Sequence, residues 1–363
     1  MEITFILPGI FVSGGVIVVL EYANRLTERG HKVNIAYPCP PLKWYNIKSR
    51  IGRILRKIGF LPKVDWFKVE ANLIGIPTSH GECPCEERIP KADLLIATWW
   101  KTAYWVANYN ENKGRKCYFI QHYEIWGGPE EQVNETYTLP LRKIVISTWL
   151  KKIIEEKFKV LTYGPAFNGV NLDVFYRDPY HDFSLHNPIR IGMMYHTAIW
   201  KGIKDGVKAF EIARKKHPDI QMVLFGVNRG KDIPDYAEFH ENPSQDNLRK
   251  IYNSLDIFIM PSHTEGFGLP PMEAMACGVA CILTNVGAVP DYAVHGETAL
   301  VSPPKQPEEL AKNLIYLLDN QEKRKKIAKA GCNYIKQFTW ERSIKQLEEI
   351  LKKILQEKDI WKL

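Results

Sequence analysis

The chain has 363 residues, enough for two α/β domains that each bury a core and too many for a small binding module. Its composition, 45% hydrophobic and 25% charged, is that of a soluble globular protein and excludes a disordered chain. Lys and Arg number 49 against 41 Asp and Glu, and the resulting formal charge of +8 favours acidic partners without choosing among a phosphorylated substrate, an anionic membrane surface and nucleic acid.

The opening residues, Met1 to Leu7, read as a first strand, because no basic leader with a long apolar region and a small-residue cleavage site is present. Further strands are expected at 32–37, 93–98, 116–121 and 143–147, with helical pieces between them. Short β-branched runs alternating with helical periods are the signature of βαβ units and a parallel sheet. After the first strand, Ser13-Gly14-Gly15 precedes a helix with apolar Val18, Val19, Tyr22 and Leu26. Gly14 and Gly15 permit close approach of a phosphate or sugar to the backbone. The Gly-x-Gly-x-x-Gly dinucleotide fingerprint is absent, which weighs against an NAD enzyme.

Residues 43–63 hold seven basic and no acidic side chains, interleaved with Trp44, Tyr45, Phe60 and Leu61. Ile47, Ile51, Ile54, Leu55 and Ile58 recur at helical spacing. Two readings stand: a basic amphipathic helix that meets an anionic membrane or an acidic acceptor, or an apolar stripe packed on the domain with its basic face solvated. No nucleic-acid motif accompanies the charge, so no nucleic-acid partner is expected.

Seven scattered cysteines suit reduced thiols in the cytoplasm better than a disulfide framework. Cys83-Pro-Cys85 with His80 upstream lacks the ligand count of a metal site and reads as a turn. No stretch approaches the roughly 18–20 apolar residues of a membrane-spanning helix. At the end of the fourth strand, Gln121-His122-Tyr123-Glu124 offers a polar cluster. His122 suits hydrogen bonding or proton exchange with a substrate hydroxyl, and equally suits satisfying backbone groups. Glu124 reads as an exposed candidate for the same side.

The Pro-, Asp-, His- and Asn-rich stretch 178–188 has neither helical nor strand period and reads as a linker. The expected organisation is an N-terminal domain at 1–170, rejoined by 345–363, a linker at 171–188 and a C-terminal domain at 189–344. Strands of the second domain are expected at 189–194, 221–226, 256–260 and 279–284. Residues 339–358 place Trp340, Ile344, Leu347, Ile350, Leu351 and Ile354 on one helical face, which needs a surface to cover.

The chemistry concentrates in 257–278. A buried strand ends at Pro261, a glycine-bearing loop follows, Pro270 or Pro271 suits a first helical turn and Gly278 a helix stop. The free amides around Gly268 and Leu269 then point at whatever lies outside the strand's carboxyl end, an anion site suited to a diphosphate. Glu265, before the helix, and Glu273, within it, both face one crevice. Paired carboxylates beside a phosphate site suit the hydroxyls of a ribose or hexose. The plainer alternative is that Glu273 offsets the helix dipole and Glu265 caps the loop.

The Glu265-Gly266-Phe267-Gly268-Leu269-Pro270 run and the spacing from Glu265 to Glu273 resemble the donor motif of retaining GT-B glycosyltransferases of the family 4 group. Thr284 to Asp291 and Gly296 to Pro303 fit the same pattern. The resemblance implies two Rossmann-like doubly wound α/β domains facing a cleft, a C-terminal helix crossing back to the first domain near Phe338-Thr-Trp340-Glu341, and no metal or other cofactor. It implies that Glu265 lies at the transferred sugar, that Glu273 binds the ribose, that Lys201 of Lys201-Gly202 is a cation on the donor diphosphate and that Gly14 and Gly15 face the donor. Where the family commonly has an Arg six residues before that Lys, this chain has Tyr195, and Arg229 in the loop from Gly226 to Gly230 is a substitute cation. The implied reaction moves a hexose or deoxyhexose from a nucleotide-diphosphate sugar to a saccharide or lipid-linked acceptor, with retention. The Gln-His-Tyr-Glu run is similar to rhamnosyltransferases of this group, which carry Asp at the position of His122. A nucleotide-sugar 2-epimerase and a non-catalytic nucleotide-sugar-binding subunit are the competing readings.

Overall fold

The computed structural model describes residues 1–39, 64, 66–78, 82–179, 183 and 186–357. The basic run at 43–63 and His80 lie outside these residues. The chain divides into two compact units, Met1–Phe167 together with Ser343–Leu363, and Asn168–Arg342.

The first unit runs β1 Glu2–Ile6, α1 Gly14–Glu28, β2 Lys32–Cys39, β3 Asn72–Pro77, β4 Leu94–Ala97, α2 Trp100–Asn108, β5 Arg115–Ile120, α3 Glu130–Thr136, β6 Arg142–Val145, α4 Thr148–Phe158 and β7 Thr162–Tyr163. Its sheet has the order β3-β2-β1-β4-β5-β6-β7, with every pairing parallel. Central strands covered on both faces become continuous apolar runs, as in Leu94-Leu95-Ile96-Ala97, whose four residues are all buried. Ser13 caps α1 by accepting from the Val16 amide, and Val18, Val19, Tyr22 and Leu26 are buried on the helix's inner face. Because β1 pairs with both β2 and β4, strand order reverses there and leaves a crevice beyond their carboxyl ends.

The second unit repeats the plan with β8 Ile189–Met194, α5 Ile203–Lys216, β9 Ile220–Gly226, β10 Glu238–Glu241, α6 Gln245–Asn253, β11 Ile257–Met260, α7 Leu269–Ala276, β12 Ala280–Thr284, α8 Val289–Tyr292, β13 Leu300–Ser302, α9 Pro307–Asp319, α10 Gln321–Ile335 and the start of α11 Trp340–Gln356. Its all-parallel sheet is ordered β10-β9-β8-β11-β12-β13, so the reversal falls between β8 and β11. Ile191, Met193, Phe210, Leu224, Ile259 and Leu314 anchor its core. Residues 171–178, expected as linker, belong to this unit, where Phe175 is buried against the Tyr252 ring.

The apolar face expected along 339–358 is present in α11, where Ile344, Leu347, Leu351 and Ile354 are buried and the helix from Ser343 onward is part of the first unit. Glu348 on this helix accepts from the Arg29 guanidinium at 2.7 Å and pairs with His31 at 3.0 Å and Lys352 at 3.0 Å. Burial works to raise the Glu348 pKa, but these hydrogen bonds outweigh it and hold the carboxyl at about 2. Two strands in each sheet were not expected from the run pattern, β3 and β7 in the first and β10 and β13 in the second. All four are edges.

Candidate donor site

In the second unit, the loops after β8 and β11 flank the point where strand order reverses, the position at which open α/β sheets bind ligands. The end of β11 is pinned by the Thr284 hydroxyl, which donates to the Ser262 carbonyl at 2.5 Å. The chain then turns through Gly268, at φ +87°, into α7, with proline in the first helical turn. A φ in that region favours glycine, and the first amides of α7 have no partner within the helix. Gly287, at φ +55°, carries the next loop against this one. A side chain there would bring Cβ to 2.2 Å from the Glu265 carbonyl oxygen.

Lys201 ends a single 3-10 turn, Ile199–Lys201, that follows β8. Gly202, at φ +65°, comes so close to the next strand that a Cβ would lie 2.0 Å from the Pro261 carbonyl oxygen. That approach seats the Lys201 ammonium against both Glu265 oxygens, at 2.7 and 2.9 Å, while the Ser262 hydroxyl donates to Oε1 at 2.7 Å. Glu265 is 7% exposed, so the charge pair sits in a setting of low dielectric. Burial, and then the Lys201 charge, depress the pKa of neighbouring His196, whose Nδ1 accepts from the Ala198 amide at 2.9 Å.

Glu273 projects from α7 and accepts from the Tyr252 hydroxyl at 2.9 Å. Burial pushes its carboxyl up to about 7, against the lowering effect of that hydrogen bond. Gly266, Phe267, Gly268 and Leu269 make the loop between Glu265 and α7, so the structure gathers these residues with Lys201 in one cluster. Ser262, which donates to Glu265, and Tyr252, which donates to Glu273, were not singled out from sequence. Ser262 carried a signal, lying in the same loop three residues before Glu265.

Tyr195 is buried beneath the loop after β9. Its hydroxyl donates to the Asp232 carboxylate at 2.5 Å, and side chains on Gly226 or Gly230 would collide with it. The phenol therefore braces the loop that carries Arg229 and supplies no charge of its own. Arg229 is exposed, with its amide donating to Glu241 at 3.4 Å and its guanidinium 5.9 Å from the Phe239 ring. Phe239 and Glu241 also line a surface cavity of about 420 Å³ with His240, Asn247, Lys250 and Ile251. None of these residues belongs to the Lys201–Glu265 cluster.

In the first unit, Gly14 and Gly15 begin α1 at the reversal point of that sheet, and the Gln121 amide lies 3.5 Å from the position of a Cβ on Gly15. The His122 ring stands edge-on to Trp126 and Trp149, and its Nδ1 lies 3.0 Å from the Tyr123 carbonyl oxygen and 3.3 Å from the Trp126 indole nitrogen. Glu124 corrects the sequence reading: it is 6% exposed, not open to an acceptor. Its carboxylate accepts from the Trp100 amide at the start of α2, at 2.9 Å, and from the Tyr118 hydroxyl at 3.2 Å. Burial raises its pKa to about 8, more than these bonds lower it. Cys83 lies 3.4 Å from the Tyr109 hydroxyl and Cys85 2.6 Å from Glu87. Among the described residues no helix is long and apolar enough to cross a membrane.

Residues 183–334 match the family described as Glycosyl transferases group 1. The capsular polysaccharide biosynthesis glycosyltransferase CapM of Staphylococcus aureus is 27% identical over 237 residues, 60% of this chain and 60% of that protein. An uncharacterized glycosyltransferase of Methanocaldococcus jannaschii is 24% identical over 211 residues, 58% of this chain and 59% of its own. These matches thus span about three fifths of the length of either relative. Sucrose-phosphate synthase from Thermosynechococcus elongatus superposes with a TM-score of 0.76 at 18% identity, over 97% of this chain and 98% of that one. HepE of Anabaena, solved in complex with UDP-glucose, superposes at 0.74 with 15% identity, over 97% and 100%. Two parallel α/β units with this similarity define the GT-B fold of glycosyltransferases. The stretch that matches the group 1 glycosyltransferases, residues 183–334, falls within the second unit.

Proposed function

We propose that the protein transfers a hexose or deoxyhexose from a nucleotide-diphosphate sugar to an acceptor hydroxyl, on a saccharide or lipid-linked saccharide, with retention of configuration. The carrying observation is the Lys201 ammonium held on Glu265 beside the start of α7. It puts a fixed cation, free backbone amides and a buried carboxylate in one small region. The relatives support the reading, since HepE was solved with UDP-glucose and CapM is named for capsular polysaccharide biosynthesis.

In this reading the diphosphate lies across the α7 amides of Gly268 and Leu269 and takes the Lys201 ammonium. The bond between the anomeric carbon and the diphosphate oxygen breaks, the acceptor oxygen bonds to that carbon, and the acceptor proton leaves on the diphosphate. Lys201 and the amides stabilise the charge that builds on the leaving group. Glu265 accepts hydroxyls of the transferred sugar, and Glu273 accepts those of the ribose. Arg229 stands as a second cation for the nucleotide, and Gly14, Gly15 and His122 are the first unit's contributions. Because the chain supplies its own cation, turnover needs no divalent metal, and treatment with EDTA should leave the rate unchanged. A tenfold or greater loss on EDTA, restored by a divalent ion, sinks that part of the reading.

Calorimetry against UDP, GDP, ADP and TDP and their sugars tests the donor site, and absence of binding to all of them overturns it. With a turning-over acceptor, Lys201→Ala and Glu265→Gln should each lose about 10²–10³ in kcat, the usual cost of removing one charge-stabilising group. Retained turnover in either variant would remove that residue from the chemistry.

A further inference from the structure

Tyr292 ends α8 beneath the Gly266-Phe267-Gly268 loop. It is 0% exposed, and its hydroxyl has no hydrogen-bond partner among the described residues. Its ring packs on Phe267 with centroids 5.8 Å apart. A side chain on Gly268 would bring Cβ to 2.9 Å from that hydroxyl, so the phenol points at the residue that caps α7. Burial, helped by the nearby Glu265 charge, raises its pKa well above the usual value, and the group stays a donor at neutral pH. A buried donor without an acceptor destabilises the fold, whereas phenylalanine would fill the same space without that penalty. The hydroxyl therefore has a use in another state of this loop.

We propose that Tyr292 is a positioning residue for the diphosphate: when the ligand binds at α7, the peptide between Phe267 and Gly268 turns so that its carbonyl accepts the Tyr292 hydroxyl. In a trans peptide the C=O and N–H point in opposite directions, so a carbonyl turned down onto Tyr292 aims the Gly268 amide up at the ligand. Gly268 can follow, because a residue without Cβ passes between φ regions that other residues cannot share. Tyr292 never touches the donor; it fixes the direction of one amide that does. The inference rests on the donor reading above.

The test is calorimetry with UDP and with GDP on the full chain, wild type and Tyr292→Phe, together with ligand-free melting. Losing an unsatisfied hydroxyl should raise the ligand-free melting temperature of Tyr292→Phe by about 2–4 °C. Losing the bond that orients the amide should weaken whichever nucleotide the wild type binds by about three- to tenfold. A merely structural tyrosine would move both measurements in the same direction. A lower melting temperature in the variant, or unchanged affinity, overturns the role of Tyr292 while the donor reading stands. Wild-type protein that binds neither nucleotide removes the donor reading and this inference with it.

Discussion

Glu273 illustrates how burial moves the titration of one carboxyl. Its pKa of about 7 means that near neutral pH only part of the population carries the carboxylate, the form that would accept ribose hydroxyls in the proposed reading. Between its ordinary value of 4.5 and about 7 the folded chain holds a proton that the unfolded chain has released. Stability of the free protein therefore falls as pH rises across this window, while donor affinity should climb through pH 7 if Glu273 is the ribose ligand. The probe should be UDP-glucose, since the terminal phosphate of free UDP titrates near about 6 and would confuse the result. Affinity should rise several-fold from pH 6 to 8 in the wild type and stay low and flat in Glu273→Gln. A wild type flat over this range rules out Glu273 as the ribose ligand. At this scale the sequence was informative where chemistry and backbone geometry coincide, as in Glu265 and Lys201-Gly202. It misled at Glu124, because a loop carboxylate beside a strand end looks solvated until α2 presents the Trp100 amide to it.

At the scale of the element, α11 is held by its buried face and by one carboxylate. Glu348 has a depressed pKa, so its contribution is whole above its unfolded value of about 4.5 and is lost as pH falls through about 2. Glu348→Gln should cost about 1.5–3 kcal/mol at neutral pH, the usual worth of charge-assisted hydrogen bonds. In urea unfolding from pH 7 down to pH 2, the gap between wild type and variant should close as the acid limit is approached. A gap that persists unchanged at pH 2 would show that packing, not the carboxylate charge, is responsible. The interior strands and this helix were readable because burial on both faces or on one stripe imposes a period. The four unforeseen strands lack that imprint for physical reasons. β7 has two residues and β13 three, β10 is the polar Glu-Phe-His-Glu, and β3 carries Gly75 and Pro77, all tolerated because an edge needs only one partner.

At the scale of the whole molecule, the two units share one topology but carry different chemistry at their reversal points. In the second, a glycine loop, a cation and a carboxylate crowd together; in the first, Gly14 and Gly15 stand at the reversal, and aromatic rings surround His122 beyond the end of β5. The charge is unevenly distributed as well. Seven of the basic residues that make the chain +8 fall within 43–63, where no acid offsets them. An anionic surface attracts each such residue by about 1 kcal/mol when it lies close, and a saccharide acceptor carried on a lipid would be met at that surface. If this run is the contact, the protein should sediment with vesicles containing phosphatidylserine and stay behind with neutral phosphatidylcholine. Raising salt from about 0.1 to 0.5 M should release it, since the Debye length shrinks from about 10 Å and the attraction is screened. Replacing Arg50, Arg53, Arg56 and Lys57 by Gln should weaken partitioning by roughly a hundredfold or more, with nucleotide binding unchanged. Equal binding to neutral vesicles, or no loss in the fourfold variant, would leave the run as a solvated face and shift the search for the acceptor to soluble saccharides.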